Sequence, residues 1–289
     1  MILVDLNQVM ISNLMASLHG HHNVEIQEDL IRHMVLNSLR TNRQKFHNEY
    51  GELVICCDDK NYWRKKLFPY YKANRKQYRN QSELDWSMIF GVLNQIREDL
   101  KTTFPYKVLQ VDTAEADDII ATIVHHFGNP LRRENEDQIL ILSGDKDFIQ
   151  LHVYGNVSQY DPVRKRWIKH DDPQQYLKEH IAKGDRGDGI PNILSKDDCF
   201  INGRQKPLRT KFLNKVTSQS FEEIENSDDE YKTNWNRNRR LVDLSMVPEY
   251  IQYTVLDEFS NEENSSRAKL FNYFVQNKLK NLMEHIGDF

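Results

Sequence analysis

Four short, almost wholly apolar segments constrain this chain more than anything else in it: Ile2-Leu3-Val4, Leu53-Val54-Ile55-Cys56-Cys57, Val108-Leu109-Gln110-Val111 and Ile139-Leu140-Ile141-Leu142. They lack the polar alternation of a half-solvated strand, and strands buried on both faces belong to parallel sheets covered by helices. Segments with helical spacing separate them. Leu30, Ile31, Met34, Val35 and Leu39 form one apolar face, bounded by Gly51. Met88, Val92, Leu93, Ile96 and Leu100 form a second, closed near Pro105, and Ile119, Ile120, Ile123, Val124 and Phe127 a third. The pattern predicts an α/β fold over roughly the first 160 residues. After Pro173 the character changes to a turn-rich stretch, Gly184–Pro191, followed by polar, helical sequence with no strong strand after Trp167-Ile168.

Each strand runs out into acid. Asp5, Asp58, the Glu115/Asp117/Asp118 group and the Asp145/Asp147 pair all follow a strand's carboxyl end, and in an open α/β sheet those ends share the edge where ligand crevices form. Taken singly, every acid has a structural reading. Asp5 and Asp58 suit strand-end turns, and Glu115 suits a capping box opened by Asp112. Asp117 and Asp118 suit a first helical turn, where the dipole favours acids by roughly 0.3–1 kcal/mol. Asp145 and Asp147 suit a polar turn, and Asp185 and Asp188 flank a Gly-rich loop. Together these readings fail on electrostatics: two carboxylates about 4 Å apart repel by about 1 kcal/mol in water and about 4 kcal/mol at an effective dielectric near 20. Apart from Lys146 and Arg186, no cation lies within the clusters along the chain. Oxygen ligands without His or Cys partners point to Mg²⁺ or Mn²⁺ and away from zinc.

The net charge of −4 alone argues against a nucleic-acid partner, but the distribution argues for one. From Lys60 to Arg79 there are eight Lys/Arg, no acid, and six aromatics: Tyr62, Trp63, Phe68, Tyr70, Tyr71 and Tyr78. Six rings alternating with eight cations cannot all join a core, whereas bases stacking on rings gain about 1–3 kcal/mol each. A second acid-free run, Arg204 to Lys215, carries five more cations. Other classes fall away. No GxxxxGK[ST] phosphate loop, HExxH or GxSxG is present, and His21-His22 and His125-His126 read as surface pairs. No apolar run nears the ~20 residues of a membrane span, and the N-terminus does not read as a signal peptide. Three cysteines make no disulfide scaffold and suit a reducing interior, so a cytoplasmic protein is expected.

Four motifs now stand in order: Tyr71-Lys72-Ala73-Asn74-Arg75 after a strand-end Asp, Glu115-Ala116-Asp117-Asp118, Ser143-Gly144-Asp145-Lys146-Asp147-Phe148, and Gly184-Asp185-Arg186-Gly187-Asp188-Gly189-Ile190-Pro191. In order and spacing they resemble those of structure-specific 5′ nucleases, the superfamily of flap endonucleases and of the 5′-nuclease domain of bacterial DNA polymerase I. Length, Tyr62-Trp63-Arg64 and the terminal Asn277-Lys278-Leu279…Asp288-Phe289 are most similar to the T-even-type phage branch. Its members are called ribonuclease H without sharing the true ribonuclease H fold. The motifs cover residues 1–191; the remainder rests on length and general similarity.

The resemblance implies a PIN-like parallel sheet flanked by helices over residues 1–180, with a basic-aromatic arch or bridge over 60–85, and a helical duplex-binding region over 181–289. It implies a Mg²⁺-dependent 5′→3′ exonuclease and flap endonuclease that removes RNA primers and 5′ flaps during DNA replication, with two Mg²⁺ ions replaceable by Mn²⁺. Asp5, Asp58, Glu115 and Asp117 would hold the first ion. Asp145, Asp147 and Asp188 would complete the second, helped by Asp118 and Asp185. Arg64, Lys72 and Arg75 would steer and clamp the scissile phosphate. Tyr62, Trp63, Lys65, Lys66, Tyr71, Lys76 and Arg79 would contact nucleic acid from the arch, and Arg204, Lys206, Arg209 and Lys211 from the distal region. The implied partners are RNA–DNA hybrid and 5′-flap or nicked duplex DNA, with a single-stranded-DNA-binding protein and a sliding clamp expected from the family alone. The chain is expected to be a monomer, in the host cytoplasm if phage-encoded.

One departure stands out. Many relatives continue Gly-Ile-Pro-Gly-Ile-Gly, a hairpin whose glycines admit backbone N–H groups to phosphate, whereas this chain reads Gly189-Ile190-Pro191-Asn192-Ile193-Leu194. Close backbone approach is harder there, which leaves Arg204–Lys215 as the candidate to grip duplex through side chains. Two rival readings share the acids: a single-strand ribonuclease of PIN type, and a non-catalytic DNA-junction-binding protein.

Overall fold

The computed structural model describes residues 1–18, 28–82, 84–129, 137–261 and 267–289, with backbone only for 76–78. Six strands form one sheet: β1 (Ile2–Asp5), β2 (Leu53–Cys56), β3 (Lys107–Leu109), β4 (Ile139–Leu142), β5 (Val157–Asp161) and β6 (Arg166–Ile168). Their order is β3-β2-β1-β4-β5-β6, parallel throughout except for the antiparallel edge hairpin of β5 and β6. The helices are α1 (Leu6–Leu18), α2 (Glu28–Tyr50), α3 (Trp63–Leu67), α4 (Ala73–Asn80), α5 (Trp86–Thr103), α6 (Ala116–Phe127) and α7 (Pro173–Lys183). There follow α8 (Cys199–Asn202), α9 (Thr210–Thr217), α10 (Phe221–Glu225), α11 (Lys232–Val242), α12 (Glu249–Asn261), α13 (Leu270–Gln276) and α14 (Lys280–Met283).

The apolar strands divide their side chains between two cores. Ile2, Val4, Leu53, Ile55, Leu140 and Leu142 face one, with α1, α2 and α5. Leu3, Val54, Cys56, Ile139 and Ile141 face the other, with α6 and the 3-10 helix Lys146–Val153. This double burial is why β1, β2 and β4 show no alternation. The distal region adds to both cores. Leu270, Phe274, Leu282 and Phe289 join the first, and Ile251 and Val255 of α12 the second. A third cluster gathers α7, α9 and α11 around the fully buried Trp235 and takes in Phe68 and Tyr71.

Several boundaries differ from the sequence expectation for identifiable reasons. β3 ends at Leu109, short of Val111. The fifth strand carries polar residues in Val157-Ser158-Gln159-Tyr160-Asp161 and is visible only through its pairing with β4. α1 starts directly after Asp5, so strand and helix share one apolar run. The capping box lies three residues later than expected. Glu115, not Asp112, caps α6, and Asp118 returns the bond to its backbone. Thr113, at φ 61°, turns the chain ahead of it and donates its N–H to Asp59.

Candidate active site

Parallel register sets Asp5 beside Cys56, so Asp58 emerges on the same edge two residues farther along. Asp5 is 4 % exposed and accepts bonds from the Gln8 N–H and the Ser143 hydroxyl, both at 3.1 Å. Asp58 accepts from the Ala116 N–H and the Asn7 amide, both at 2.7 Å. Burial and then the charge of Asp58 push the Asp5 carboxyl up to about 7. Burial, Asp5 and Asp145 raise Asp117 well above the carboxylate range, and burial and Asp145 raise Asp147 to about 8. These mutual effects show that the structure brings Asp5, Asp58, Asp117, Asp145 and Asp147 together.

Glu115 and Asp118 are different. Glu115 is 1 % exposed and accepts from Arg64 and from the Tyr71 hydroxyl, each at 2.9 Å, and from Lys72. Burial raises its pKa, but Lys72 and Arg64 outweigh that and hold it below the usual value. Asp118 is fully buried, salt-bridged to Arg64 at 2.8 Å and bonded to the Trp63 indole at 3.0 Å. Local sequence showed no cation in these clusters; folding supplies two from the 60–75 segment. Asp118 serves as an anchor for Arg64 and Trp63.

On the other side, Asp145 caps the 3-10 helix by accepting from the Asp147 N–H at 3.0 Å. His180 of α7 then enters, a residue the sequence reading passed over. Its Nδ1 lies 3.3 Å from Asp147 and its Nε2 3.5 Å from Asp185. One ligand atom from each of Asp147, His180 and Asp185 falls within 4.8 Å of the others. An imidazole therefore stands among the carboxylates at this end of the site, a nitrogen that no spacing rule signals. Asp188 holds Arg75 and accepts from Tyr71 at 3.1 Å, with Lys72 at 3.6 Å. Asp185 accepts from the Asp188 N–H at 3.1 Å. Gly189, at φ 73°, is required here: a Cβ would lie 2.8 Å from the Tyr70 carbonyl oxygen.

The basic-aromatic segment divides inward and outward more sharply than expected. Trp63, Phe68 and Tyr71 are buried and join cores, while Tyr62 and Tyr70 are only partly buried. Short helical turns explain it: α3 turns Trp63 and Arg64 in and Lys65 and Lys66 out. Arg64, expected to meet phosphate, is 3 % exposed and further bonded through Nε to the Leu241 carbonyl at 2.9 Å. Trp63 and Tyr71 likewise offer no open face for a base. Half-buried Tyr62 lies under Lys65 and Lys72, with ring centroid distances of 4.8 and 5.3 Å. Arg75 is 49 % exposed, and half-buried Arg79 covers Phe90 at 5.3 Å. The Lys76 side chain and His21-His22 lie outside the described residues. His125 bonds the Tyr154 hydroxyl at 2.9 Å. Arg204, Lys206, Arg209 and Lys211 are all exposed.

The donor chemistry fits divalent cations. A divalent cation held among these carboxyls, with the imidazole beside them, would take the place of the protons that burial favours. A groove of about 720 Å³, lined by Gln8, Asp145, Asp147, Tyr176, His180 and Asp185 among others, opens onto this edge. Among the described residues, no helix is long and apolar enough to cross a membrane.

Comparison with known proteins agrees with this geometry. The profile of the 5′-3′ exonuclease N-terminal resolvase-like domain matches residues 1–182, and that of the T4 RNase H C-terminal region matches residues 173–289. Ribonuclease H of Enterobacteria phage T4 is 29 % identical over 297 residues, covering 99 % of this chain and 95 % of that protein. Flap endonuclease Xni of Shewanella sp. (strain MR-4) is 27 % identical over 157 residues, covering 52 % of this chain and 55 % of that one. The T5 D15 protein, co-crystallised with metal ions, superposes with a TM-score of 0.61 at 19 % identity, covering 90 % of this chain and 98 % of that one. T5 5′-exonuclease with bound zinc gives 0.57 at 18 %, again covering 90 % and 98 %; both likenesses concern the fold. With the exonuclease domain matched over residues 1–182 of 289, the chain belongs to the 5′-3′ exonuclease family and is a 5′ nuclease.

Proposed function

We propose that this nuclease is Mg²⁺-dependent, with Mn²⁺ as an alternative ion, and removes RNA primers and 5′ flaps from duplex DNA in the host cytoplasm. The observation that carries the reading is the meeting of two opposite charge groups at one sheet edge. Repelling carboxyls Asp5, Asp58, Asp117, Asp145 and Asp147 lie beside Lys72 and Arg75, which are held there by Glu115 and Asp188. Asp5, Asp58 and Asp117 would hold one ion, and Asp145, Asp147, Asp185 and His180 a second. Bound in pairs, such ions supply an activated water and neutralise charge on the attacking and leaving oxygens.

The chain's own groups do the positioning. Tyr71 spans the site by donating toward both Glu115 and Asp188, which fixes the carboxylates that hold Lys72 and Arg75. Those two cations then face the phosphate as charge develops on it. Arg75, the more open of them, is the one an incoming strand meets first. Glu115 enters as the counter-ion of Lys72 and Arg64, so a role for it at the first ion requires Lys72 to swing toward substrate. Residues 1–180 supply most of the chemistry, completed by Asp185 and Asp188, and the rest of 181–289 the duplex grip. A single-stranded-DNA-binding protein and a sliding clamp are proposed partners on family grounds alone, and the monomeric state likewise.

The test compares a 5′-flap duplex, a duplex with a 5′-RNA primer, and unstructured RNA, each in Mg²⁺. Short 5′ products from the first two support the proposal. Preferential cleavage of unstructured RNA would favour a PIN-type ribonuclease, and tight junction binding without any cleavage a structural role; either result would overturn it.

A further inference from the structure

Asn192, standing where relatives have a hairpin glycine, is tied into a hydrogen-bond network. Asn192 is 1 % exposed, and its amide nitrogen donates to the Lys206 carbonyl at 2.7 Å. Its side-chain oxygen accepts from the Leu194 N–H at 3.1 Å and the Ser195 hydroxyl at 2.8 Å, and its own N–H donates to Gln205 at 3.0 Å. Ser195, 2 % exposed, accepts from the Lys206 N–H at 2.8 Å. One amide and one hydroxyl therefore pinch Lys206 by both of its peptide groups. From below, Asn234 donates to the carbonyls of Ile193 and Ser195 at 2.9 and 3.1 Å, and Asn238 to that of Pro191 at 2.8 Å.

The same loop is tied to the carboxylate edge. Ile190 N–H donates to the Asp185 carbonyl, Lys72 N–H to that of Asp188 and the Asn74 amide to that of Arg186, each at 2.7 Å. What the clip displays is a row of like charges. Arg204, Lys206, Arg209 and Lys211 are exposed. Buried amides are costly unless hydrogen-bonded, and here one is bonded through both its nitrogen and its oxygen beside a segment of exposed cations. Such a device fits a polyanion of regular spacing.

We infer that Asn192 is a positioning residue that presents Arg204–Lys211 as a pre-ordered clamp for duplex phosphates, at a fixed distance from the cleavage site. Side chains thereby do the work that backbone N–H groups do in a glycine hairpin. Holding the backbone of this segment in place before binding lowers the ordering cost of association. The identity of the partner as duplex nucleic acid rests on the nuclease reading above.

The test is the salt dependence of binding of the full chain, in EDTA, to a flapped duplex and to the same single strand. Arg204→Ala/Lys206→Ala, which touches only exposed side chains, should lower the log–log salt slope by about 1.8, at about 0.9 per phosphate contact. Asn192→Ala removes no charge yet should lower the slope by a comparable amount and raise KM on duplex substrates with little change in kcat. Asn192→Asp, which keeps the acceptor and loses the donor to Lys206, should behave like Asn192→Ala. Single-strand binding should not change. Should Asn192→Ala fail to fold, Ser195→Ala removes the other half of the clip and carries the same expectation. A folded clip variant with the wild-type slope, or a charge variant with it, would overturn the inference. A wild-type chain that binds no duplex at any salt would instead refute the nuclease reading itself.

Discussion

Replacing Arg64 separates an anchor from a phosphate clamp. Its guanidinium is 3 % exposed and bonded to Glu115 at 2.9 Å, to Asp118 at 2.8 and 3.0 Å, and to the Leu241 carbonyl at 2.9 Å. Arg64→Met keeps the stem and deletes the charge. Removing one partner of a buried ion pair costs about 3–5 kcal/mol, because the other charge stays buried and unpaired. Here Lys72 still faces Glu115, and the Trp63 indole and Glu115 N–H still face Asp118, so the lower end, about 3 kcal/mol, is expected. At roughly 2–4 °C per kcal/mol for a domain of this size, the melting temperature should fall by about 6–12 °C. Thermal and urea unfolding followed by far-ultraviolet circular dichroism, alongside flap cleavage well below the transition, reads both quantities. Arg75→Ala provides the contrast: 49 % exposed, it should leave stability within about 0.5 kcal/mol while cleavage falls. If Arg64→Met melts like wild type and loses cleavage a hundredfold, the guanidinium reaches substrate and its assignment as an anchor is wrong.

Further outcomes follow from the same site. Carboxyls whose folded pKa exceeds the unfolded value bind more protons folded than unfolded, so metal-free stability falls as pH rises from about 4 toward 8; Asp5 at about 7 and Asp147 at about 8 set that window. Melting in EDTA should show this decline, Mg²⁺ should flatten it, and a decline unaffected by Mg²⁺ would contradict metal binding at these acids. Adding Mg²⁺ at pH 7 should also release protons, seen as a buffer-dependent calorimetric heat. Tyr71→Phe loses bonds to Glu115 and Asp188 and should cost about 1–3 kcal/mol, measured by urea unfolding. Lys72→Ala should weaken both turnover and binding and lower the salt slope by about one.

The sheet and its acidic edge were legible because each depends on local sequence. Ile2–Val4 and Ile139–Leu142 could only be strands buried on both faces, and parallel strands must end together. What local sequence hid was contributed across the fold. Arg64 reaches Asp118 over 54 residues, and His180 reaches Asp147 over 33; neither distance leaves a mark in the chain between. Which aromatics of 62–71 turn inward was not legible, because a five-residue helix buries one side and exposes the other without any mark in composition. Asn192 appeared as the loss of a glycine, and only its hydrogen bonds reveal what it does instead.

The account's central claim is that the carboxylates at the sheet edge act through divalent metal. Single-turnover cleavage of a 5′-labelled flap duplex, in Mg²⁺ and in EDTA, with wild type and Asp147→Asn, tests it most directly. The account predicts short 5′ products only with wild type and Mg²⁺, while Asp147→Asn folds at least as well and binds the duplex undiminished. Cleavage by Asp147→Asn at the wild-type rate, or by wild type in EDTA, would contradict it.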